Sequence, residues 1–450
     1  MNIERQETGA LTATLKLKLE PADYLPSVDK ELKEQRRKAA LPGFRPGQVP
    51  MAIIRKRVGK SVLVNEVERL IDSNLRGYIE ENKLRLLGQP LPGSGEDTNN
   101  WDEPGELNFS YDVGFAPAVE VEMDPKLGVE LPLVNVDDAM VDQEVEAMRR
   151  RHGKLVDADI AGAKDMVIGD LIELEEDGTI KAGGLMNRTT VTVEDLKDEE
   201  TRNLFIGRAA GDSVTVDPHR ISRDHDDLAK MLNTDHDAVH DLNGNMLFRI
   251  AEIKHMEPIE VGAALFERVF GEGAVADEAE FRTKVKEGLE GMFRNDGERI
   301  FKREVIKALA AKARLELPDA FLKRWISMTS EQPIEEDRLE GEYPDYAESL
   351  RRQLVEDRIV EKYGLEAKGE EIGEFAARHI AGQFAQYGLP APEEDRLREM
   401  AGRMLADRKQ VTDMRNTIVE RKLITHFKAM LSPKEKRMSM DEFINLARTA

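Results

Sequence analysis

The sequence predicts an α+β multidomain chain: an α+β N-terminal unit, a small β-rich middle unit and an extended all-helical C-terminal unit with arms. Three observations predict it. Residues 11–20, LTATLKLKLE, alternate apolar and polar at the period of a half-buried strand, and helical patterns follow them. Between residues 151 and 250, alternating runs are separated by turn glycines. From 251 to about 432, apolar residues recur every three or four positions. A chain of 450 residues suggests roughly three domains of ~150 residues each. With 40% hydrophobic, 5% aromatic and 34% charged residues, it suits amphipathic helices with solvated faces better than an aromatic-packed globule.

Residues 1–115 form the first expected domain. After the 11–20 strand, ADYLPSVDKELKEQRRKAA has a helical pattern that stops at Pro42-Gly43. A longer helix is predicted over 59–84, and GELNFSYDVGFAP (105–117) reads as a closing strand. Residues 116–150 read as a connector packing with, or leading from, the C-terminal body. It carries prolines at 117, 125 and 132, then a helix with Asp137 or Asp138 near its N-cap. Residues 151–250 are the β-rich domain, with strand-like runs DLIELEEDGTI, DSVTVDPHRI and NMLFRIAEIKHME. Its net charge is −9, from 12 basic and 21 acidic residues. Residues 251–432 are the helical domain, with turn punctuation at ELPDAF, EYPDY, KYGLEAKGEE and QYGLPAPEED. Residues 433–450 read as a tail, a charged hinge followed by a short amphipathic helix.

The net charge is −22, so the chain as a whole repels nucleic acid and any contact with a polyanion must be local. It contains no cysteine, which excludes disulfides, thiolate metal sites and cysteine catalysis. The N-terminal stretch lacks the apolar core of a signal peptide, and no window approaches ~18 consecutive apolar residues. The expectation is a cytoplasmic protein with no membrane partner. There is no Gly-x-x-x-x-Gly-Lys-Ser/Thr motif, and no cofactor is expected.

One segment departs from the rest. Residues 30–60 hold ten Lys or Arg residues against Glu31 and Glu34, a net +8, so the remainder of the chain carries −30. Within it lies GFRPGQVP, residues 43–50. Arg45-Pro46-Gly47-Gln48 suits a type II turn, because Pro fixes φ at the second position and Gly accepts positive φ at the third. Gly43 adds freedom before the ring of Phe44. An exposed, stiffened Phe beside an Arg is an interface anchor, with buried area from the ring and oriented donors from the guanidinium. Spacing alone also allows Phe44 to fold back onto its own helices.

GFRPGQVP between two basic helices resembles the signature of the trigger factor family of bacterial ribosome-associated chaperones. The family pattern Gly-Phe-Arg-x-Gly-x-Val-Pro is matched at Gly43, Phe44, Arg45, Gly47, Val49 and Pro50. Domain order, length and the ELPDAF segment at 316–321 extend the resemblance more loosely along the chain. The resemblance implies docking on the large ribosomal subunit, against an exit-tunnel protein and adjacent rRNA, where unfolded nascent polypeptides are met. Phe44 and Arg45 would anchor, with Gly43, Pro46 and Gly47 shaping the tip. Arg36, Arg37, Lys38, Arg55, Lys56 and Arg57 would attract phosphate. A weak homodimer off the ribosome is also allowed.

The family's middle domain is an FKBP-type peptidyl-prolyl isomerase, and the scaffold here resembles it. An isomerase pocket twists an X-Pro bond inside an aromatic, water-poor box. Residues 151–250 hold only two aromatics, Phe205 and Phe248, and LEED stands where the family has an aromatic-acid pair. The expected activity is weak or absent, and no catalytic residue is assigned. The same region contains His219, His225, His236 and His240. His236 and His240 are four apart and can share a helix face, with Asp235 and Asp237 nearby, yet a solvated acidic helix explains the run as well, and no metal site is assigned.

In the helical domain, Met256, Met292, Met328, Met400, Met404, Met414 and Met430 lie at core-like spacing. As a set, adaptable Met side chains on helical arms suit weak, many-point gripping of unfolded chain. The function expected is therefore ATP-independent holding of nascent chains at the ribosome. The alternatives are an active prolyl isomerase, or a cytosolic assembly or export chaperone working off the ribosome.

Overall fold

The computed structural model describes residues 2–40, 42, 44–45, 48–93, 99–101, 103–240, 242, 244–330, 332–386 and 389–449. The N-terminal region is an antiparallel sheet of β1 (Asn2–Gly9), β2 (Thr12–Leu19), β3 (Leu91–Pro92) and β4 (Leu107–Gly114), in the order β1-β2-β4-β3. The alternation in β2 sends Ala13, Leu15, Leu17 and Leu19 into the core and leaves Lys16 and Lys18 exposed. Onto that buried face pack α1 (Pro21–Lys38) and α2 (Met51–Glu81), through Tyr24, Leu32, Ile54, Val67 and Ile71.

Two details differ from the sequence expectation. β1 is a strand the pattern does not reveal: it is an edge strand, almost wholly exposed, so nothing selects apolar residues on alternate positions. Helix α2 starts at Met51, eight residues before its predicted start, because Pro50 sits at the N-cap and Ile54 is buried one turn in.

The chain then runs through a 3₁₀ turn at Pro125–Leu127 to β5 (Leu131–Val134) and α3 (Asp138–Arg151), capped by the Asp137 carboxylate, which accepts from the Met140 N–H at 2.9 Å. The middle region is a five-stranded antiparallel sheet of β6 (Lys154–Asp157), β7 (Met166–Glu173), β8 (Met186–Thr192), β9 (Ser213–Val216) and β10 (Met246–Glu257). β10 is its spine: β7 lines one edge, while β9 and β6 share the other. The short helices α4 (Glu199–Phe205), α5 (Pro218–Ile221), α6 (His225–Leu232) and α7 (His236–His240) close one core around Phe205, Leu228, Val239 and Phe248.

The helical region comprises α8 (Ala263–Phe270), α9 (Glu278–Ala313), α10 (Asp319–Thr329), α11 (Glu336–Tyr363), α12 (Gly369–Gln386), α13 (Glu394–Met404) and α14 (Arg408–Leu431). EYPDY, expected to punctuate, lies inside α11. Burial of Tyr343 and Ala347 against Leu317, Phe321 and Leu322, and the Tyr343 hydroxyl donating to Asp319 at 2.6 Å, hold the helix through Pro344. The charged hinge read after residue 432 is also corrected. Glu435–Met438 is β11, pairing in parallel with β5, and α15 (Met440–Thr449) places Phe443 in one core with Val134, Val141 and Phe293. Charged residues there form a strand because the pairing supplies backbone partners that local composition cannot indicate.

Candidate functional site

The α1–α2 connection is the point where the basic residues converge. Helix α1 ends in Arg36, Arg37 and Lys38, all exposed, beside the helix's negative C-terminal end. Helix α2 begins with Arg55, Lys56 and Arg57 in its first two turns, also exposed. The two helices pack together, so both triplets flank one loop. Two members are paired: Arg37 to Glu34 at 3.0 Å and Arg55 to Asp29 at 2.8 Å. Among the described residues, no carboxylate lies within 4.0 Å of Arg36, Lys38, Arg45, Lys56 or Arg57. Exposed pairs of this kind cost little to open, so all seven cations are available to an external anion.

The loop divides its side chains in two. Val49 is 1% exposed and joins the core with Leu32 and Ile54. Phe44 is 40% exposed and Arg45 lies beside it, exposed. The Gln48 N–H donates to the Arg45 carbonyl at 2.9 Å, closing a four-residue turn. Gly43, Pro46 and Gly47 lie outside the described residues, and so does the type of that turn. The geometry is a ring and a guanidinium carried out of the surface on a loop pinned from below by a buried valine.

The middle region shows where its aromatics go. Phe205 and Phe248 are both fully buried, edge to face with centroids 5.3 Å apart, inside the core rather than at a cleft. Its histidines, by contrast, meet. The 236/240 spacing was visible in the sequence, but the approach of His225 was not, since it comes from the preceding helix. Ring centroids of His225 and His240 lie 4.5 Å apart, His236 and His240 5.3 Å, and His225 and His219 5.3 Å. Partial burial and the neighbouring imidazoles of His240, His219 and His236 hold His225 below the ordinary histidine range, against Asp224. The run is also not a free solvated helix: Leu228, Ala229, Leu232 and Val239 are buried beneath it.

In the helical region Met414 is buried, whereas Met292, Met328 and Met430 are 50%, 52% and 42% exposed. A groove of about 670 Å³ between α9, α11 and α14 is lined by Lys302, Glu356, Asp357, Arg415 and Glu420. Burial raises the Asp357 carboxyl above its usual range. No helix among the described residues is long and apolar enough to cross a membrane.

Three family profiles match the chain. Residues 1–148 match "Bacterial trigger factor protein (TF)", residues 155–258 match "Probable trigger factor, FKBP-like domain", and residues 297–447 match "Probable trigger factor, C-terminal domain". A protein named "Trigger factor" from Chloroherpeton thalassium is 24% identical over 81% of this chain and 84% of its own length. Another of that name, from Desulforudis audaxviator, is 27% identical over 91% of this chain and 92% of its own. A solved structure described as "Promiscuous Substrate Recognition in Folding and Assembly Activities of the Trigger Factor Chaperone" aligns over 96% of this chain and 100% of that chain, with TM-score 0.42 and 15% identity.

Proposed function

Because this chain belongs to the trigger factor family of chaperones, we propose that it docks on the large ribosomal subunit and holds nascent polypeptides there without ATP. The contact is the α1–α2 tip. Phe44 enters an apolar site on an exit-tunnel protein, Arg45 supplies oriented donors, and Arg36, Arg37, Lys38, Arg55, Lys56 and Arg57 meet rRNA phosphate. One observation carries the reading: Phe44 is 40% exposed on the +8 segment while Val49, five residues on, is buried. A ring kept in water on a tethered loop gains free energy only when a partner covers it.

The helical region, with its exposed methionines, supplies weak and repeated contacts to unfolded chain, and client folding ends them. The 151–250 domain contributes surface rather than turnover, since its two aromatic rings are committed to its core. The isolated fragment of residues 151–258, which keeps β10 whole, should barely accelerate a proline-limited refolding reaction. Acceleration comparable to an efficient isomerase would replace the holding function with an enzymatic one.

Co-sedimentation with ribosomes tests the docking. If about four of the tip cations meet phosphate, a fourfold rise in salt should weaken binding by roughly 10²-fold. The Phe44→Ala, Arg45→Ala double variant should lose at least ~10-fold more at low salt. Binding that ignores both salt and the double substitution would move the contact elsewhere, and no binding at all would favour a chaperone that works off the ribosome.

A further inference from the structure

We propose that α6 and α7 carry a site for a divalent late-transition-metal cation of the zinc class, with His225, His236 and His240 as ligands. It rests on no part of the docking argument. Four of the chain's eight histidines fall within residues 219–240; the rings of His225, His236 and His240 contact one another, and that of His219 contacts His225. His225, His236 and His240 each offer one ring nitrogen within 4.8 Å of the others. Tetrahedral zinc with Zn–N bonds of about 2.0–2.1 Å places ligand nitrogens roughly 3.4 Å apart. His236 and His240 are exposed and His225 half-buried, so side-chain rotation closes that gap without backbone movement.

The platform is rigid. His236 and His240 sit one helical turn apart on α7, and His225 opens α6. Leu228, Leu232 and Val239 fasten both helices to the sheet core. His219 forms a wall rather than a ligand: its Nε2 donates to the Leu242 carbonyl at 2.9 Å and its ring packs 5.3 Å from that of His225. Asp226 brings a carboxylate oxygen to 3.8 Å from His236 Nε2, and Asp237 one to 3.8 Å from His236 Nδ1. Either supplies negative charge beside the three imidazoles, which leave the fourth position of a tetrahedral ion to water or a further ligand. The donor set selects the metal. Three imidazoles suit zinc, nickel, cobalt or copper, whereas magnesium and calcium require mainly oxygen ligands. A net −9 over residues 151–250 attracts the cation further.

The experiment uses the full chain, free of any affinity tag, stripped with a chelator and dialysed. Zn²⁺ is titrated by calorimetry and Co²⁺ by its visible d–d absorption, which is intense only in a tetrahedral field. The expected result is one equivalent bound at roughly micromolar affinity or better. His225→Ala, His236→Ala and His240→Ala should each weaken binding by ~10-fold or more, while His379→Ala, on α12, leaves it unchanged. Circular dichroism in chelator verifies that each variant is folded, and the single substitutions keep the test decisive should the triple variant not fold. Absence of saturable Zn²⁺ binding, or binding that survives loss of the three imidazoles, overturns the proposal.

Discussion

Phe44 and Val49 share one loop and are treated oppositely by the solvent, 40% against 1% exposed. That difference separates docking from folding. Val49→Ala deletes two buried methyl-sized groups and leaves a small cavity, a loss of about 2 kcal/mol to the N-terminal unit. Phe44→Ala removes nothing the fold uses. Denaturant titrations followed through Trp101, in a Trp325→Phe background, should show a lower midpoint for Val49→Ala and none for Phe44→Ala. Ribosome sedimentation should show the larger loss for Phe44→Ala, and equal effects of the two on stability would remove the division of labour. A second residue sets a pH response. His426 packs its ring 4.4 Å from that of Tyr363, and its Nε2 is buried without a hydrogen-bond partner among the described residues. Burial lowers its pKa below the ordinary 6.5. The unfolded chain therefore takes up this proton first as pH falls through 6.5. Stability is complete above that value and drains away as pH falls toward the depressed folded value. Melting temperatures between pH 7.5 and 5.5 should fall more steeply for the parent chain than for His426→Gln, and parallel slopes would exclude His426 as the cause.

Helix α9 carries three glycines whose surroundings predict opposite effects. At Gly297 a Cβ would lie 2.1 Å from the Pro132 carbonyl oxygen, so β5 and α9 approach through the missing side chain. Around Gly288 and Gly291 there is open space. Gly291→Ala should stabilise the body by about 1 kcal/mol from helix propensity alone. Gly297→Ala gains the same term but must push a backbone strand aside, which costs roughly 1–3 kcal/mol and reverses the sign. Thermal unfolding of the two variants, shifted in opposite directions, tests the contact; a shared upward shift would place β5 elsewhere. Local pattern also explains what could be read in advance. The β2 alternation, the end of α1 a few residues before Pro42 and the Asp137 cap are local signals, and each appears in the sequence. The β5–β11 pairing, the passage of α11 through Pro344 and the approach of His225 to His240 join residues whose propensities say nothing of one another. The tip was legible as a motif, and Phe44's exposure required the fold, since a loop aromatic can turn either way.

At the scale of the whole molecule, the chain closes on itself. β11 pairs with β5, some three hundred residues earlier, and α15 lays Phe443 against Phe293 with ring centroids 6.3 Å apart. Arg294 reaches Glu435 at 3.2 Å across the same seam. Meanwhile Gly114 of the N-terminal sheet abuts the Phe321 ring, and Arg324 of α10 pairs with Asp112 at 2.6 Å. The connector, the long helix α9 and the chain's end are therefore one packed body, on which the basic tip is mounted. This body carries −12 of the −30 that balances the tip, −6 from residues 116–150 and −6 from residues 251–450, so its apolar contacts act against a net acidic repulsion. Removing residues 433–450 strips β5 of its partner strand and uncovers Val134, Val141 and Phe293. Burial of Phe443, Leu446, Met438 and Met440, two or three side chains' worth when partial exposure is counted, contributes on the order of 5 kcal/mol. A dispensable tail would contribute nothing. The truncated chain should melt several degrees lower and become cleavable by protease between residues 116 and 136. Low salt should deepen the deficit, because unscreened acidic repulsion then works against a weaker core. The β6–β10 sheet has its own core and should keep its protease resistance. An unchanged melting profile and cleavage pattern would mean that the strand pairing and the Phe293–Phe443 contact do not hold the body together.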